Sequence, residues 1–314
     1  MGLSTFELQK RLSNAPGLTE LTEEDIKAIQ KLLLGIIEDI VTVSNERQIS
    51  YTLSGGSCLG ALRHQGFIPW DDDADINMRR KDWEAFRDAL LDKYPGKYIV
   101  RDPQHAADYG VCNGHIGLAD TYWNVVGCGV DGSYIGVDVF FLENVPDNRV
   151  LRYLHGFVSL GLGFASSCRR FAERRDSYLT YASSSEEKRI LKFKISLGKL
   201  LSFCSMDKWC SIWDKWNSMV SNEESRYLSI PGGRKHYFGE LYRREDFFPV
   251  SCGTFEGLDA PLPANPDFYM RVLYGPDYMT PPPPEEREKH AVLEFDLGEC
   301  ANGLPDMEET ETTE

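Results

Sequence analysis

The stretch of sequence that decides the fold is SGGSCLGALRHQGFIPWDDDADIN, residues 54–77. It joins a glycine-rich turn to an acidic run, and a short β-prone segment follows. Four of the five residues from Asp71 to Asp75 are aspartates. Their carboxylates would repel one another strongly if all were buried and ionised. A bound cation would remove this conflict, so the stretch predicts a metal site at the start of a strand around 74–78.

Side chains alternate along that strand, which places Asp73 and Asp75 on one face while Ala74 and Ile76 point into the core. Two carboxylates about 7 Å apart on one face can share one or two hard cations. Oxygen ligands without a nearby Cys or His cluster favour Mg²⁺ or Mn²⁺. Ca²⁺ is the competing ion, but the glycine and distal glutamate of an EF-hand loop are missing.

Asp138 is the best candidate for a third carboxylate. It is the acid within an apolar strand predicted over 134–142, where a buried charge without a partner would cost about several kcal/mol. A metal would supply that partner. The alternative is a structural salt bridge between Asp138 and an arginine.

A phosphate-binding element is predicted at Gly55, Gly56 and Ser57. Glycines let the backbone approach a phosphate closely, and the turn offers N–H groups and a hydroxyl. A GGS turn alone is weak evidence, but an anion cradle followed by a carboxylate pair provides both halves of a phosphoryl-transfer site. Arg63 and His64 lie between these elements and could contact donor phosphates, although a surface role for His64 is an equal alternative.

The net charge of −15 is concentrated near the C-terminus, where residues 285–314 hold eleven acids and two bases. No basic stripe is visible, which argues against nucleic acid as a partner. The eight cysteines are irregularly spaced, so neither a zinc ribbon nor a disulfide framework is indicated. Because the first residues also lack a secretion signal, we expect a cytoplasmic protein with reduced thiols.

Helices are predicted on both sides of these strands. Thr22 followed by three acids is typical of a helix start, and isoleucines and leucines at helical spacing extend this helix to about Glu46. Another helix is expected over 81–91. Residues 150–222 are mainly helical, and a further helix is expected near 285–290 after four prolines.

The most apolar segment, 150–165, is shorter than the roughly 20 residues that span a bilayer. An arginine cluster follows it at 169–175. Packing of an amphipathic helix on its own domain is one explanation. Peripheral contact with an anionic membrane surface is the other.

Three motifs resemble the LicD family of bacterial phosphocholine-type transferases, which are related to the fukutin proteins. They are LSGGSCLGALRHQGFIPWDDDADI at 53–76, VDVFFLENVP at 137–146 and LYGPDYMTPPPPEEREKH at 273–290. The resemblance implies an α+β nucleotidyltransferase-like mixed sheet flanked by helices, with an added mainly helical region. The predicted divisions are an N-terminal extension (1–20), a catalytic core (21–148), a helical region (149–222), a loop-rich part packing on the core (223–292) and a disordered acidic tail (293–314).

The resemblance also implies roles for individual residues. Gly56 and Ser57 would belong to the nucleotide-binding glycine turn, and Asp73, Asp75 and Asp138 would be catalytic and hold the metal. Asp71 could support the metal through water. A cationic choline headgroup would need an aromatic cage, to which Trp70 could contribute, although aromatic packing is the commoner explanation for such a residue.

The activity implied is transfer of a phospho-substituent, phosphocholine first, from a CDP-linked donor to a hydroxyl of a cell-surface glycan or glycolipid acceptor, with release of CMP. Two alternatives remain open. One is nucleotidyl transfer, in which NMP stays on the acceptor. The other is a non-catalytic nucleotide- or glycan-binding protein with the same fold.

Overall fold

The computed structural model describes residues 5–13, 15–129 and 132–298. The helices are α1 (Thr5–Leu12), α2 (Glu23–Arg47), α3 (Gly55–His64), α4 (Arg80–Lys93), α5 (Arg149–Glu173), α6 (Arg175–Tyr181), α7 (Ser185–Leu200), α8 (Met206–Asn217), α9 (His236–Gly239) and α10 (Pro266–Tyr274). The strands are β1 (Tyr51–Leu53), β2 (Ala74–Arg79), β3 (Tyr98–Arg101), β4 (Gly114–Leu118), β5 (Tyr122–Val125), β6 (Gly136–Asn144), β7 (Tyr227–Ser229), β8 (Leu241–Arg243), β9 (Ser251–Phe255), β10 (Leu258–Leu262) and β11 (Val292–Asp296).

The long helix α2 forms because its start is capped and one face is apolar. The Thr22 hydroxyl accepts a hydrogen bond from the Asp25 backbone, and the Asp25 carboxylate accepts one from the Thr22 backbone. This reciprocal cap satisfies amides that a helix start leaves without partners. Ile29, Leu33 and Ile36 are buried in the main core. The predicted helix is confirmed, ending at Arg47.

A mixed sheet forms the centre of the molecule, with the strand order β1-β2-β6-β4-β3, and β7 pairs with both β6 and β8. Strands β2 and β6 run parallel, whereas β1 and β4 are antiparallel to their neighbours. Helices α2 and α4 contact each other and pack against this sheet. The predicted α+β class with a mixed sheet is therefore confirmed.

The C-terminal part differs from its prediction in two places. Residues 284–286 form only a 3₁₀ turn, so the helix expected near 285–290 is wrong. Residues 292–296 form β11, which pairs antiparallel with β5. The expected disorder is therefore wrong for 293–296, and residues 299–314 lie outside the described part of the chain. A hairpin of β9 and β10 precedes this segment.

Helices α5 to α8 form the added helical region, in which α5 packs against both α7 and α8. A buried ion network connects this region to the sheet. The Arg80 guanidinium contacts Glu143 at 2.5 Å and Asp214 of α8 at 2.6 Å, and it lies 3.6 Å from the centre of the Phe141 ring. Among the described helices, none combines the length and the apolar character needed to cross a membrane.

Candidate functional site

The acidic run lies at the point where the chain enters β2. Asp71, Asp72 and Asp73 precede the strand, and Asp75 is its second residue. A turn closed by a hydrogen bond from the Asp71 amide to the Ile68 carbonyl (2.9 Å) sets the direction of the run. The Gln30 side chain on α2 donates to the Asp71 carbonyl at 2.8 Å. The aspartates are therefore held by the fold of the core.

Asp138 lies beside Asp75 because the parallel register of β2 and β6 pairs these two residues. Asp138 is not buried, since 43% of its side chain is exposed. Its partner is His115 of β4 rather than an arginine, with Nδ1 2.8 Å from the Asp138 carboxylate. The other ring nitrogen lies 3.1 Å from the Tyr134 carbonyl. Because a carbonyl only accepts, Nε2 must donate there, and the two contacts fix the ring and orient Asp138.

The glycines at 55 and 56 lie in the first turn of α3 rather than in a separate loop. A Cβ at Gly55 would lie 2.8 Å from Asp75 Oδ2, and one at Gly56 would lie 2.6 Å from Asp71 Oδ2. Gly55 also has φ +46, which glycine adopts without strain. These positions therefore allow two carboxylates to approach a helix N-terminus, whose partial positive charge favours anions.

Hydrogen bonds join strand β2 to the start of helix α3. The Asp75 amide donates to Ser57 Oγ at 2.9 Å, and the Ser54 amide donates to the Asp75 carbonyl at 2.9 Å. Ser54 Oγ lies 2.9 Å from the Tyr269 hydroxyl of α10. Asn77 is fully buried on the face of β2 that carries Asp75, and its side-chain amide donates to the Tyr269 hydroxyl at 3.4 Å. The floor of the site is thus rigidly connected.

Electrostatic interactions among the aspartates favour a bound cation. Among the described residues, Asp71, Asp72 and Asp73 form a cluster whose ligand oxygens all lie within 4.8 Å of one another. Burial, then the charges of Asp72 and Asp138, raise the pKa of Asp73 to about 6. Burial, followed by Asp73 and Asp138, holds the pKa of Asp75 well above its ordinary value. An all-oxygen set under mutual repulsion fits a hard divalent ion such as Mg²⁺ or Mn²⁺.

His290 reaches this cluster from the C-terminal segment. Its Nδ1 lies 2.7 Å from Asp72, and its Nε2 lies 3.7 Å from Asp73. The charge of Asp72 raises the pKa of His290 well above its ordinary value, so the imidazolium partly neutralises the aspartates. Its position at the end of a motif was the available signal, but sequence reasoning gave it no role. His115 was also missed.

The remaining predicted residues lie in two different surroundings. Arg63 and Trp70 line the cleft, and the Arg63 Nη1 donates to the Tyr278 carbonyl at 3.0 Å. Ser57 and His64 do not line the cleft. Ser57 is buried against Asp75, and His64 accepts a hydrogen bond from Arg63 Nε at 2.9 Å. Burial, followed by the charge of Arg63, lowers the pKa of His64, which suits this acceptor role.

The face of Trp70 already holds a cation. The Arg287 guanidinium lies 3.8 Å from the centre of its indole ring, and Arg63 lies at 5.9 Å. Cations are attracted to the negative face of an indole ring. The Trp70 ring thus already contacts a cationic group of the same chain, the Arg287 guanidinium.

A cleft of about 1470 Å³ is lined by the aspartates, the start of α3 and the two tyrosines of α10, Tyr269 and Tyr274. It is large enough for a nucleotide-sized ligand and part of an acceptor. Carboxylates on adjacent parallel strands lie beside a glycine-rich helix start in this cleft. This arrangement agrees with the nucleotidyltransferase-like class of protein predicted from the sequence.

Comparisons with known proteins agree with this class. Residues 48–132 match the family model described as "LicD/FKTN/FKRP, nucleotidyltransferase domain". The chain is 27% identical over 273 residues to the lipopolysaccharide cholinephosphotransferase LicD of Haemophilus influenzae, covering 84% of this chain and 95% of that protein. An uncharacterized protein of Rickettsia typhi is 38% identical over 58 residues, which are 18% of this chain and 19% of the relative. The chain is therefore similar to LicD-family proteins, both in this nucleotidyltransferase domain and along most of its length.

Proposed function

We propose that this protein transfers phosphocholine from CDP-choline to a hydroxyl group of a glycan or glycolipid and releases CMP. The observation that carries the proposal is the acidic cluster at the start of β2, which lies beside the glycine-rich start of α3 in one cleft. The relative's name, lipopolysaccharide cholinephosphotransferase, supports the donor headgroup and the kind of acceptor. The reaction would take place in the cytoplasm.

Residues of α3 would bind the phosphates of the donor. Gly55 and Gly56 line the cleft at the start of α3, and amides at a helix start can donate to phosphate oxygens. Arg63, in the last turn of α3, lines the same cleft and supplies a positive charge there. These groups hold the pyrophosphate so that its choline-bearing phosphorus faces the acceptor hydroxyl.

The aspartates would hold one or two divalent ions. Asp73, Asp75 and Asp138 are the proposed ligands, and Asp71 would act directly or through water. The tight grouping of Asp71, Asp72 and Asp73 adds Asp72 to the groups that could contribute. When bound, Mg²⁺ or Mn²⁺ would neutralise charge that develops on the leaving phosphate.

The transfer itself is an in-line displacement. The acceptor oxygen forms a bond to the choline-bearing phosphorus while the bond from that phosphorus to the oxygen of CMP breaks. The electron pair of the broken bond leaves with CMP, and the hydroxyl proton passes to a base. Asp138 is the proposed base, because it is partly exposed in the cleft and His115 fixes its direction.

Product analysis tests this reaction. The purified protein is incubated with Mg²⁺, CDP-choline and lipopolysaccharide lacking choline, and the nucleotide product is identified by chromatography. Free CMP and a choline-modified acceptor are expected. An acceptor carrying CMP would instead assign nucleotidyl transfer, and the proposal would be wrong.

Thermal protection tests whether the site binds its ligands at all. Mg²⁺ plus CDP should raise the melting temperature by mass action. Asp75→Asn and Asp138→Asn should remove this increase, whereas Asp259→Asn, which changes an exposed acid in β10, should keep it. A wild-type increase in both site variants would contradict the assignment of these residues. No increase in the wild-type protein would favour a binding protein of another specificity.

A further inference from the structure

Large apolar side chains are exposed along one face of α5. Leu154 and Phe157 expose 59% and 63% of their surfaces, and Val150, Leu151 and Phe164 are also exposed. Spacings of three and four residues place most of these side chains on one stripe of the helix. Monomeric proteins seldom leave so large an apolar patch open to water without a partner.

The neighbouring α7 and the turn after it continue this surface. Phe193, Leu200 and Phe203 are exposed there. The exposed cations Lys192 and Lys199 directly precede Phe193 and Leu200 in the sequence. Apolar and positive side chains are therefore interleaved.

The charge of the helical region is opposite to that of the rest of the chain. Residues 149–222 contain thirteen Lys and Arg against six Asp and Glu, a net charge of +7, whereas the whole chain has −15. The excess holds among the exposed residues of this region, of which eight are Lys or Arg and three are Asp or Glu. A basic, apolar surface is complementary to an anionic lipid surface, where cations meet headgroups and apolar side chains enter the acyl boundary.

We propose that the exposed faces of α5 and α7 form a docking surface for an anionic lipid bilayer. Lysine is depleted at the centres of protein interfaces, so the alternation of lysine with phenylalanine fits lipid headgroups better than a second copy of the chain. Leu160, Phe164 and Phe193 also line the cleft that contains the aspartates. Docking would therefore place the cleft opening at the lipid surface. If the proposed function holds, an acceptor anchored in that surface could enter the cleft directly.

Sedimentation with lipid vesicles tests the apolar part of the surface. The full chain should pellet with vesicles of phosphatidylglycerol and phosphatidylcholine. Phe157→Ser and Phe193→Ser should each lower the partition coefficient about tenfold, as expected when an aromatic side chain no longer leaves water. Phe268→Ser removes an exposed phenylalanine outside the helical region and should have no effect. Circular dichroism confirms that each variant is folded.

Charge reversal tests the electrostatic part. Lys192→Glu should weaken binding to anionic vesicles about tenfold, in line with the attraction of single charges near such a surface. Lys27→Glu makes the same change at an exposed position of α2, and this variant should bind as wild type does. Pure phosphatidylcholine vesicles and higher salt should both reduce binding of the wild-type protein.

Two results would overturn the proposal. One is that the wild-type protein does not pellet with anionic vesicles, or that Phe157→Ser and Phe193→Ser pellet with them as well as wild type does. The other is self-association in sedimentation velocity without lipid that the phenylalanine variants abolish, which would assign the surface to a second copy. Because the assay contains neither nucleotide nor acceptor, its outcome is independent of the transferase reaction.

Discussion

Replacement of Gly56 by alanine should separate the activity of the site from the stability of the fold. A methyl group at this position would lie 2.6 Å from Asp71 Oδ2. An ordinary contact needs about 3.5 Å, so the carboxylate must move by about 1 Å. The obstacle is the end of a side chain, which can rotate, and no backbone atom has to shift.

Stability should change little in this variant. Alanine is favoured over glycine within a helix by at most about 1 kcal/mol, which offsets the cost of moving Asp71. The rate of CMP release, by contrast, should fall about a hundredfold, as a displacement of about 1 Å in a reacting site can cause. The affinity for Mn²⁺ in the presence of CDP-choline should fall with it.

Gly35→Ala is the matched control. Gly35 lies within α2, and a Cβ there would meet no atom within 4 Å. This variant should gain a similar helix preference and keep full activity. Urea denaturation gives the free energy of unfolding, titration calorimetry gives the Mn²⁺ affinity, and chromatography gives the rate of CMP release.

Two outcomes would refute this reasoning. If Gly56→Ala releases CMP at the wild-type rate, the position of Asp71 is not needed for the reaction. If instead activity and the free energy of unfolding fall together by a large amount, the glycine is required for folding, and the inference about the carboxylate is wrong.

Three further predictions concern other parts of the molecule. Arg80→Met leaves two buried acids without their cation and should lower the free energy of unfolding in urea by about 3–5 kcal/mol. Burial raises the pKa of Glu240 from 4.5 to about 7 in the folded protein. As the pH rises, the unfolded chain therefore loses this proton before the folded protein does. The free energy of unfolding should then fall by up to about 3 kcal/mol as the pH rises from 4.5 to 7, and Glu240→Gln should lack this fall. His115→Ala should lower turnover about 10–100-fold with little change in melting temperature, since Asp138 loses its orienting partner; unchanged turnover would contradict that role.

Local signals predicted the core elements well because those elements depend on neighbouring residues. The cap at Thr22 and the alternation of Ala74, Asp75 and Ile76 each report a structure that forms within a few residues. β6 was expected over 134–142 and lies at Gly136–Asn144, where pairing with β4 sets its start and pairing with β7 sets its end. Such shifts at element ends arise from partners distant in sequence.

The parts that were missed depend on long-range contacts. His290 meets Asp72 across 218 residues of sequence, and no local pattern encodes that distance. β11 is rich in acids and looked like part of a solvated tail, yet it forms because β5 offers it an open edge. The glycines were expected to approach a phosphate. In the structure they make room for Asp71 and Asp75. This requirement can be seen only when the start of α3 and the acidic run are placed side by side.

The pairing of β11 with β5, and the contact of His290 with the aspartates, affect how the protein matures during synthesis. The Thr19 amide also donates to the Val292 carbonyl at 2.8 Å, which connects an early segment to a late one. A ribosome that has translated as far as β6 has already made every proposed metal ligand, but the imidazole that neutralises them is still untranslated. A nascent chain would thus carry an uncompensated acidic pocket from the completion of β6 until His290 has been added and can reach the aspartates.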